Sequence, residues 1–313
     1  MAKMMATRDA YGEALKELGK TNKDIVVLDA DLSKSTKTAV FGKEYPERFI
    51  NVGIAEQNLI GTAAGLATTG KIPFASSFAM FATGRAFEII RNSVAYPKLN
   101  VKIAATHAGL TVGEDGASHQ ALEDISVMRT IPNMVVLNPA DGVEAKAAVM
   151  KAAEYKGPVY IRLGRSKVPT IFEEANYKFE IGKGVLLKDG KDVTIVATGI
   201  MVSLALEAAE MLQKDGVDAR VINIHTIKPI DKELIIKAAK ETGAIITAEE
   251  HNIIGGLGSA VAEVLVENYP AVMERVGVRD TFGESGDGDE LLRKYGLTSE
   301  KIAEAAKKAF SRK

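Results

Sequence analysis

Short, continuously apolar runs alternate along this chain with stretches in which apolar residues recur every three to four positions. The runs at 25–28, 72–75, 101–105, 134–137 and 159–163 read as strands. Their lack of polar alternation predicts a parallel sheet covered on both faces. Helical patterns fall between them at 56–67, 85–95, 122–128 and 142–155. Ahead of them all, Tyr11, Ala14, Leu15 and Leu18 share one face of a helix that Thr7 is placed to cap. A charge-rich stretch without periodicity at 166–183 reads as a connector. Beyond it the alternation restarts, with strands at 193–197, 219–224, 244–248 and 276–278. The matching helices fall at 202–214, 232–241, 257–267 and 299–310. The expected fold class is α/β, with two doubly wound α/β domains over 1–170 and 189–313 and a linker at 171–188. In such folds ligands bind beyond the carboxyl ends of the strands.

A chain of 313 residues has room for two domains. A formal net charge of −1 supplies no basic field for nucleic acid. The absence of cysteine excludes disulfides, thiolate metal sites and a cysteine nucleophile, and it suits a reducing compartment. The amino terminus lacks the apolar core of a signal peptide. No apolar run approaches the roughly 20 residues that cross a bilayer. The expectation is a soluble, cytoplasmic protein with no nucleic-acid or membrane partner.

One carboxylate, Glu56, stands where Asn51-Val-Gly-Ile-Ala gives way to a helix. Gly61, Ala64 and Gly65 then leave a small-residue face. Each glycine within a helix costs about 1 kcal/mol relative to alanine, so close packing at a site or subunit interface is expected to offset it. A buried helix whose first-turn acid favours the macrodipole accounts for the same residues.

Phe74, Phe78 and Phe81 crowd together where the run at 72–75 ends. Such spacing suits a core, and it also permits a flat ring held against Glu56. His107 closes the run at 101–105, and His119 follows in a loop with glycines at 109, 113 and 116 and acids at 114 and 115. That composition predicts a mobile or ligand-contacting segment. Asp115, His107 and His119 suit hydrogen bonding to substrate hydroxyls better than metal binding; a solvated loop with incidental histidines is the alternative. Arg8, at the start of the first helix, and Arg165, after the run at 159–163, can converge at one sheet edge. There guanidinium forks suit phosphate oxygens. His225 and His251 have less reactive surroundings and read as structural. Gly255-Gly-Leu-Gly258 offers a possible anion nest but lacks the spaced third glycine of a dinucleotide fingerprint.

Together, Gly53-Ile-Ala-Glu-Gln57, Ser76-Ser-Phe-Ala-Met-Phe81 and Gly113-Glu-Asp-Gly-Ala-Ser-His-Gln120 resemble the carboxyl-terminal half of transketolase. Ile131-Pro-Asn-Met134 and Pro139-Ala-Asp141 extend the resemblance over almost the whole chain. It implies a pyrimidine-binding domain followed by a transketolase C-terminal domain. The family's amino-terminal diphosphate-binding domain, with its metal ligands, has no counterpart here, while Met1 precedes a complete helix. The chain thus resembles the C-terminal subunit of a split transketolase. Such a subunit is expected to act only with an N-terminal partner subunit, in an assembly with two copies of each chain. Gly286-Asp-Gly288 is similar to the metal-diphosphate motif of thiamine enzymes but lacks its asparagine pair. No metal site is therefore assigned, and Mg2+ is expected mainly on the partner.

The resemblance implies roles residue by residue. Glu56 matches the glutamate that bonds the aminopyrimidine of thiamine diphosphate and favours the imino tautomer, whose nitrogen removes the thiazolium proton. Phe78 and Phe81 match the aromatic wall around that ring, and Asp31 a polar residue near the cofactor at the subunit contact. Arg8, Ser35, His107 and Arg165 match a sugar-phosphate clamp. Asp115 and His119 match residues that bond substrate hydroxyls beside the reacting carbon, His119 joining Glu56 as a catalytic residue. Gly84 departs from the tyrosine that many transketolases carry beside the pyrimidine. The implied activity moves a two-carbon ketol unit from a ketose phosphate to an aldose phosphate, as in the pentose phosphate pathway. The equivalent segment of 1-deoxyxylulose-5-phosphate synthase shares the Gly-Ile-Ala-Glu-Gln pattern, although His107 favours transketolase. A 2-oxo acid dehydrogenase beta chain and a non-catalytic subunit of the same fold are further alternatives.

Overall fold

The apolar runs become strands of two sheets. In the computed structural model, which describes residues 3–313, the first sheet is built from six parallel strands. They are β1 (Ile25–Asp29), β2 (Phe49–Asn51), β3 (Ile72–Phe78), β4 (Lys102–Thr106), β5 (Val135–Leu137) and β6 (Val159–Arg162), in the spatial order β5-β6-β4-β3-β1-β2. Successive side chains go to opposite faces. Ile25, Val27, Phe74 and Ile161 enter one core with α1 (Thr7–Thr21) and α3 (Gly142–Glu154). Val26, Leu28, Ala75 and Ile103 enter another with α2 (Glu56–Thr68).

Six further strands are β7 (Val185–Lys188), β8 (Val193–Ala197), β9 (Ala219–Asn223), β10 (Thr226–Lys228), β11 (Ala244–Asn252) and β12 (Val272–Val278). All but β10 form a second sheet, ordered β12-β11-β8-β9-β7, parallel except for the antiparallel edge strand β7. It packs with α4 (Met201–Lys214), α5 (Lys232–Thr242), α6 (Leu257–Asn268) and α7 (Ser299–Phe310). β10 instead crosses to the first domain and pairs antiparallel with β5, making seven strands there. The core under α2 is continuous with Val196, Ile222 and Ile245 of the second sheet. The two domains therefore share a core. Among the described residues no helix is long and apolar enough to cross a membrane.

Several local expectations change. Thr7 is the first helical residue rather than the cap, and its hydroxyl accepts from the Gly164 N–H at 2.8 Å, supplying a partner for that amide. The pattern at 85–95 is not one helix. Ala79–Arg85 is helical, the backbone breaks at Ala86, and Ile90–Ala95 forms a π-helical segment that buries Ile90 and Val94. Residues 167–169 of the connector pair with Met4–Ala6. On α2, Ala64 faces the core, whereas nothing lies within 4 Å of where a Cβ would stand on Gly61 or Gly65. The close approach expected at those glycines is not made among the described residues.

Candidate functional site

The carboxyl ends of β1, β3, β4 and β6 bring most of the predicted residues together. Thr106 ends β4, and His107 follows with φ of +57°, a left-handed conformation uncommon outside glycine. Its ring stacks on Phe78, the last residue of β3, with centroids 3.8 Å apart. Arg8, one residue into α1, donates through Nη1 to the Ser35 carbonyl and to His107 Nε2, each at 3.1 Å. Because arginine is only a donor, His107 Nε2 must accept, and the ring proton sits on Nδ1, which donates to Thr106 Oγ1 at 2.9 Å.

This neutral histidine stands in a basic cluster. Burial first, and then Arg8, Arg165, His119 and Lys37, push its pKa down to about 3. Burial likewise lowers the Arg8 pKa, opposed by Asp9 and reinforced by Arg165, and Arg8 Nε is buried without a partner among the described residues. Arg165 pairs with Glu114 at 2.7 Å and bonds the Val112 carbonyl; Lys37 pairs with Asp9 at 3.1 Å. Asp29, at the end of β1, folds the segment that carries Ser35 and Lys37. Its carboxylate accepts from Leu32 N–H at 2.6 Å, Thr36 Oγ1 at 2.6 Å and Thr38 Oγ1 at 2.8 Å. Burial raises the Asp29 pKa, and these bonds oppose the rise. A cluster of bases with an unused buried N–H is suited to an oxyanion.

Glu56 opens α2 and is only 4% exposed. Its two carboxylate oxygens accept from Arg85 Nη1 at 3.3 and 3.2 Å. The Arg85 guanidinium also lies over Phe81, 4.5 Å from the ring centroid. Phe81 is half-buried, stacks with Phe78 at 5.9 Å and makes a T-shaped contact with His119 at 5.1 Å. Phe74, by contrast, is entirely core. Arg85 was not singled out from sequence. It shares the short helix Ala79–Arg85 with Phe81 at a spacing of four, which is the signal that points to it. Gly84 on that helix is exposed, with only Met80 Cε near the position of an added Cβ.

The other predicted residues lie around this centre. Asp31 is exposed in a left-handed turn and exchanges hydrogen bonds with Asn51, at 3.1 Å from its N–H and 3.4 Å to its carboxylate. Ser35 meets Arg8 through its carbonyl rather than its hydroxyl. Asp115 is exposed at the end of the 3-10 segment Leu110–Asp115, and His119 Nδ1 pairs with Ser118 Oγ at 2.9 Å. His225 and His251 are buried apart from the cluster, each pushed down to about 4 by burial. The amides of Leu257 and Gly258, in the glycine pattern that offers an anion nest, donate instead to Glu249 at 2.7 and 2.8 Å. Asp287 caps the helix Gly288–Lys294 through the amides of Asp289 and Glu290.

Residues 3–170 match the family described as transketolase, pyrimidine binding domain, and residues 182–302 match transketolase, C-terminal domain. The chain is 60% identical over 298 residues to a putative transketolase C-terminal section of Methanocaldococcus jannaschii, spanning 95% of this chain and 93% of that protein. It is 48% identical over 306 residues to a 6-deoxy-6-sulfo-D-fructose transketolase subunit of Clostridium sp., spanning 98% and 95%. A solved split gene transketolase, an inactive beta4 tetramer, superposes with a TM-score of 0.92 at 63% identity, covering 98% of this chain and 99% of that one.

Proposed function

Because the chain belongs to the transketolase family, a family of transferases, we propose that it is the C-terminal subunit of a split, thiamine-diphosphate-dependent transketolase. In this reading it transfers a two-carbon ketol unit from a ketose phosphate to an aldose phosphate, in the cytoplasm and within the pentose phosphate pathway. The observation that carries it is one sheet end holding a buried carboxylate, a partly open aromatic face and a basic cluster.

The residues present fit the cofactor's aminopyrimidine. Glu56 is acceptor-only when ionised, its partner Arg85 is half-exposed and displaceable, and Phe81 offers a flat face beside both. When bound, thiamine diphosphate supplies the electron sink for carbon–carbon cleavage. Glu56 would hold the pyrimidine ring nitrogen by a hydrogen bond that favours its protonated, imino form, Phe78 and Phe81 would hold the ring plane, and Asp31 would lie at the contact with the partner. Arg8, Arg165 and the Ser35 hydroxyl anchor the terminal oxyanion, and His107 serves the same clamp by accepting from Arg8 and so orienting its guanidinium, so remote binding energy orients the reacting carbon. Asp115 and the Nε2 of His119 bond the substrate hydroxyls. Residues 1–170 form the pyrimidine unit and 189–313 the C-terminal unit, joined by 171–188. The N-terminal partner contributes most of the Mg2+ and diphosphate site in an assembly with two copies of each chain.

The test is reconstitution from separately purified chains with thiamine diphosphate and magnesium. Xylulose 5-phosphate should serve as ketol donor only when both chains are present. Substantial turnover by this chain alone, or none by the pair with any ketose phosphate or ketose sulfonate, overturns the reading. Turnover of pyruvate in place of the ketose would assign the synthase reaction instead.

A further inference from the structure

The loop that carries Asp115 and His119 is bonded to the second domain instead of standing free. Glu250, on β11 and 4% exposed, accepts from the Thr111 N–H through Oε1 at 2.7 Å. Its backbone carbonyl accepts from Arg162 Nη2 at 2.9 Å, which fixes β11 against β6 at the same point. Gly109, with φ of +85°, passes so close that any side chain there would collide with the Glu250 carboxylate. Farther along, Gln120 Nε2 donates to the Leu110 carbonyl at 3.2 Å and to the Glu284 carbonyl at 3.0 Å. Gly116 faces Ser285, and Gly113 faces the backbone at Gly286. The three glycines, expected to mark a mobile or ligand-contacting loop, are the points at which another domain approaches.

We propose that the second domain is a positioning element for the substrate loop, with Glu250 as its positioning residue. By holding Thr111, Glu250 fixes the 3-10 segment Leu110–Asp115 and hence where Asp115 and His119 meet a hydroxylated substrate. The proposal rests on the reading of those two residues as substrate-binding. Glu250 acts through the loop backbone and touches no reacting atom. A buried amide needs an acceptor in any case, and a carboxylate reaching from another domain ties loop height to domain docking.

The experiment uses the reconstituted two-chain assembly. Glu250→Ala should raise KM for ketose and aldose phosphates by about tenfold or more, lower kcat less than KM rises, and leave thiamine diphosphate affinity unchanged. Glu250→Gln retains an acceptor oxygen toward Thr111 and should restore KM to near the wild-type value. Hydrogen exchange over 109–120 should quicken in Glu250→Ala and not in Glu250→Gln. Unchanged KM and exchange in Glu250→Ala, equal loss of cofactor affinity, or a Gln variant that behaves like Ala would overturn the proposal. Should Glu250→Ala fail to assemble, Gln120→Met removes the bond to Glu284 together with the loop's own bonds to Leu110 and Gly113. It should produce the same KM rise and loop-confined exchange, and unchanged values would count equally against the idea. Exchange needs no turnover. A wild-type pair inactive on sugar phosphates would therefore reject the functional reading while the exchange data still decide the loop's attachment.

Discussion

Arg85 donates to both carboxylate oxygens of Glu56 while lying 4.5 Å from the centroid of Phe81. The carboxylate is buried and the guanidinium is half-exposed. The acid proposed to meet a heterocycle thus has a cationic partner that reaches solvent on its other side. Arg85→Leu should destabilise the isolated chain by about 1–2 kcal/mol, since a buried acceptor loses its partner and water reaches it only from one side. Thermal unfolding of the free chain measures this. An unchanged midpoint would show that the pair contributes nothing to the fold.

Glu56→Ala addresses the chemistry instead. It should preserve assembly with the partner and remove most ketol transfer, on the order of 10²–10⁴-fold if control of proton transfer is what is lost. Steady-state rates on assemblies confirmed by size-exclusion chromatography provide the measurement. Near-wild-type turnover would remove Glu56 from the proposed machinery.

Arg165 tests the basic cluster. It sits beside Arg8 and His107 but is held back by Glu114 at 2.7 Å. Arg165→Ala should raise KM for phosphorylated substrates by about tenfold, as expected for loss of a charge-assisted contact. It should change KM little for the unphosphorylated sugars. Equal losses for both classes would reject an oxyanion clamp.

The sequence made β1, β3 and β6 legible because strands covered on both faces need no polar positions. β2 and β10 escaped because each is three residues long and ends in a polar residue, Phe-Ile-Asn and Thr-Ile-Lys, leaving at most two apolar residues in a row. Their existence depends on pairing with β1 and β5, not on local pattern. At the site, Glu56, His107 and His119 stood out by their places at strand ends and in a motif-bearing loop. Arg85 did not, because the apolar periodicity over 85–95 begins at that residue, where the helix carrying Phe81 ends. Glu250 was equally hidden. Its partner Thr111 is 139 residues away, and no local pattern encodes that distance.

His107 yields a pH prediction with a definite sign. Its unfolded pKa is near 6.5, and the folded value is pushed down to about 3 by burial and the surrounding cations. Between those values the unfolded chain holds a proton that the folded chain lacks, so stability rises with pH. This contribution is complete above about pH 6.5 and is lost progressively as the pH falls toward 3. His225 and His251, near 4, act in the same sense. Glu144 and Glu249, raised to about 7 by burial, act in the opposite sense between about pH 4.5 and 7, where the folded chain holds the extra protons. The wild-type profile is therefore a partial cancellation, and single substitutions expose its parts. His107→Asn should lose less thermal stability than wild type between pH 7 and 4. Inorganic phosphate should narrow that difference in part, because a bound anion offsets the cations that add to burial in keeping His107 neutral. Parallel pH profiles for the two proteins, with and without phosphate, would show that His107 does not sense the basic cluster.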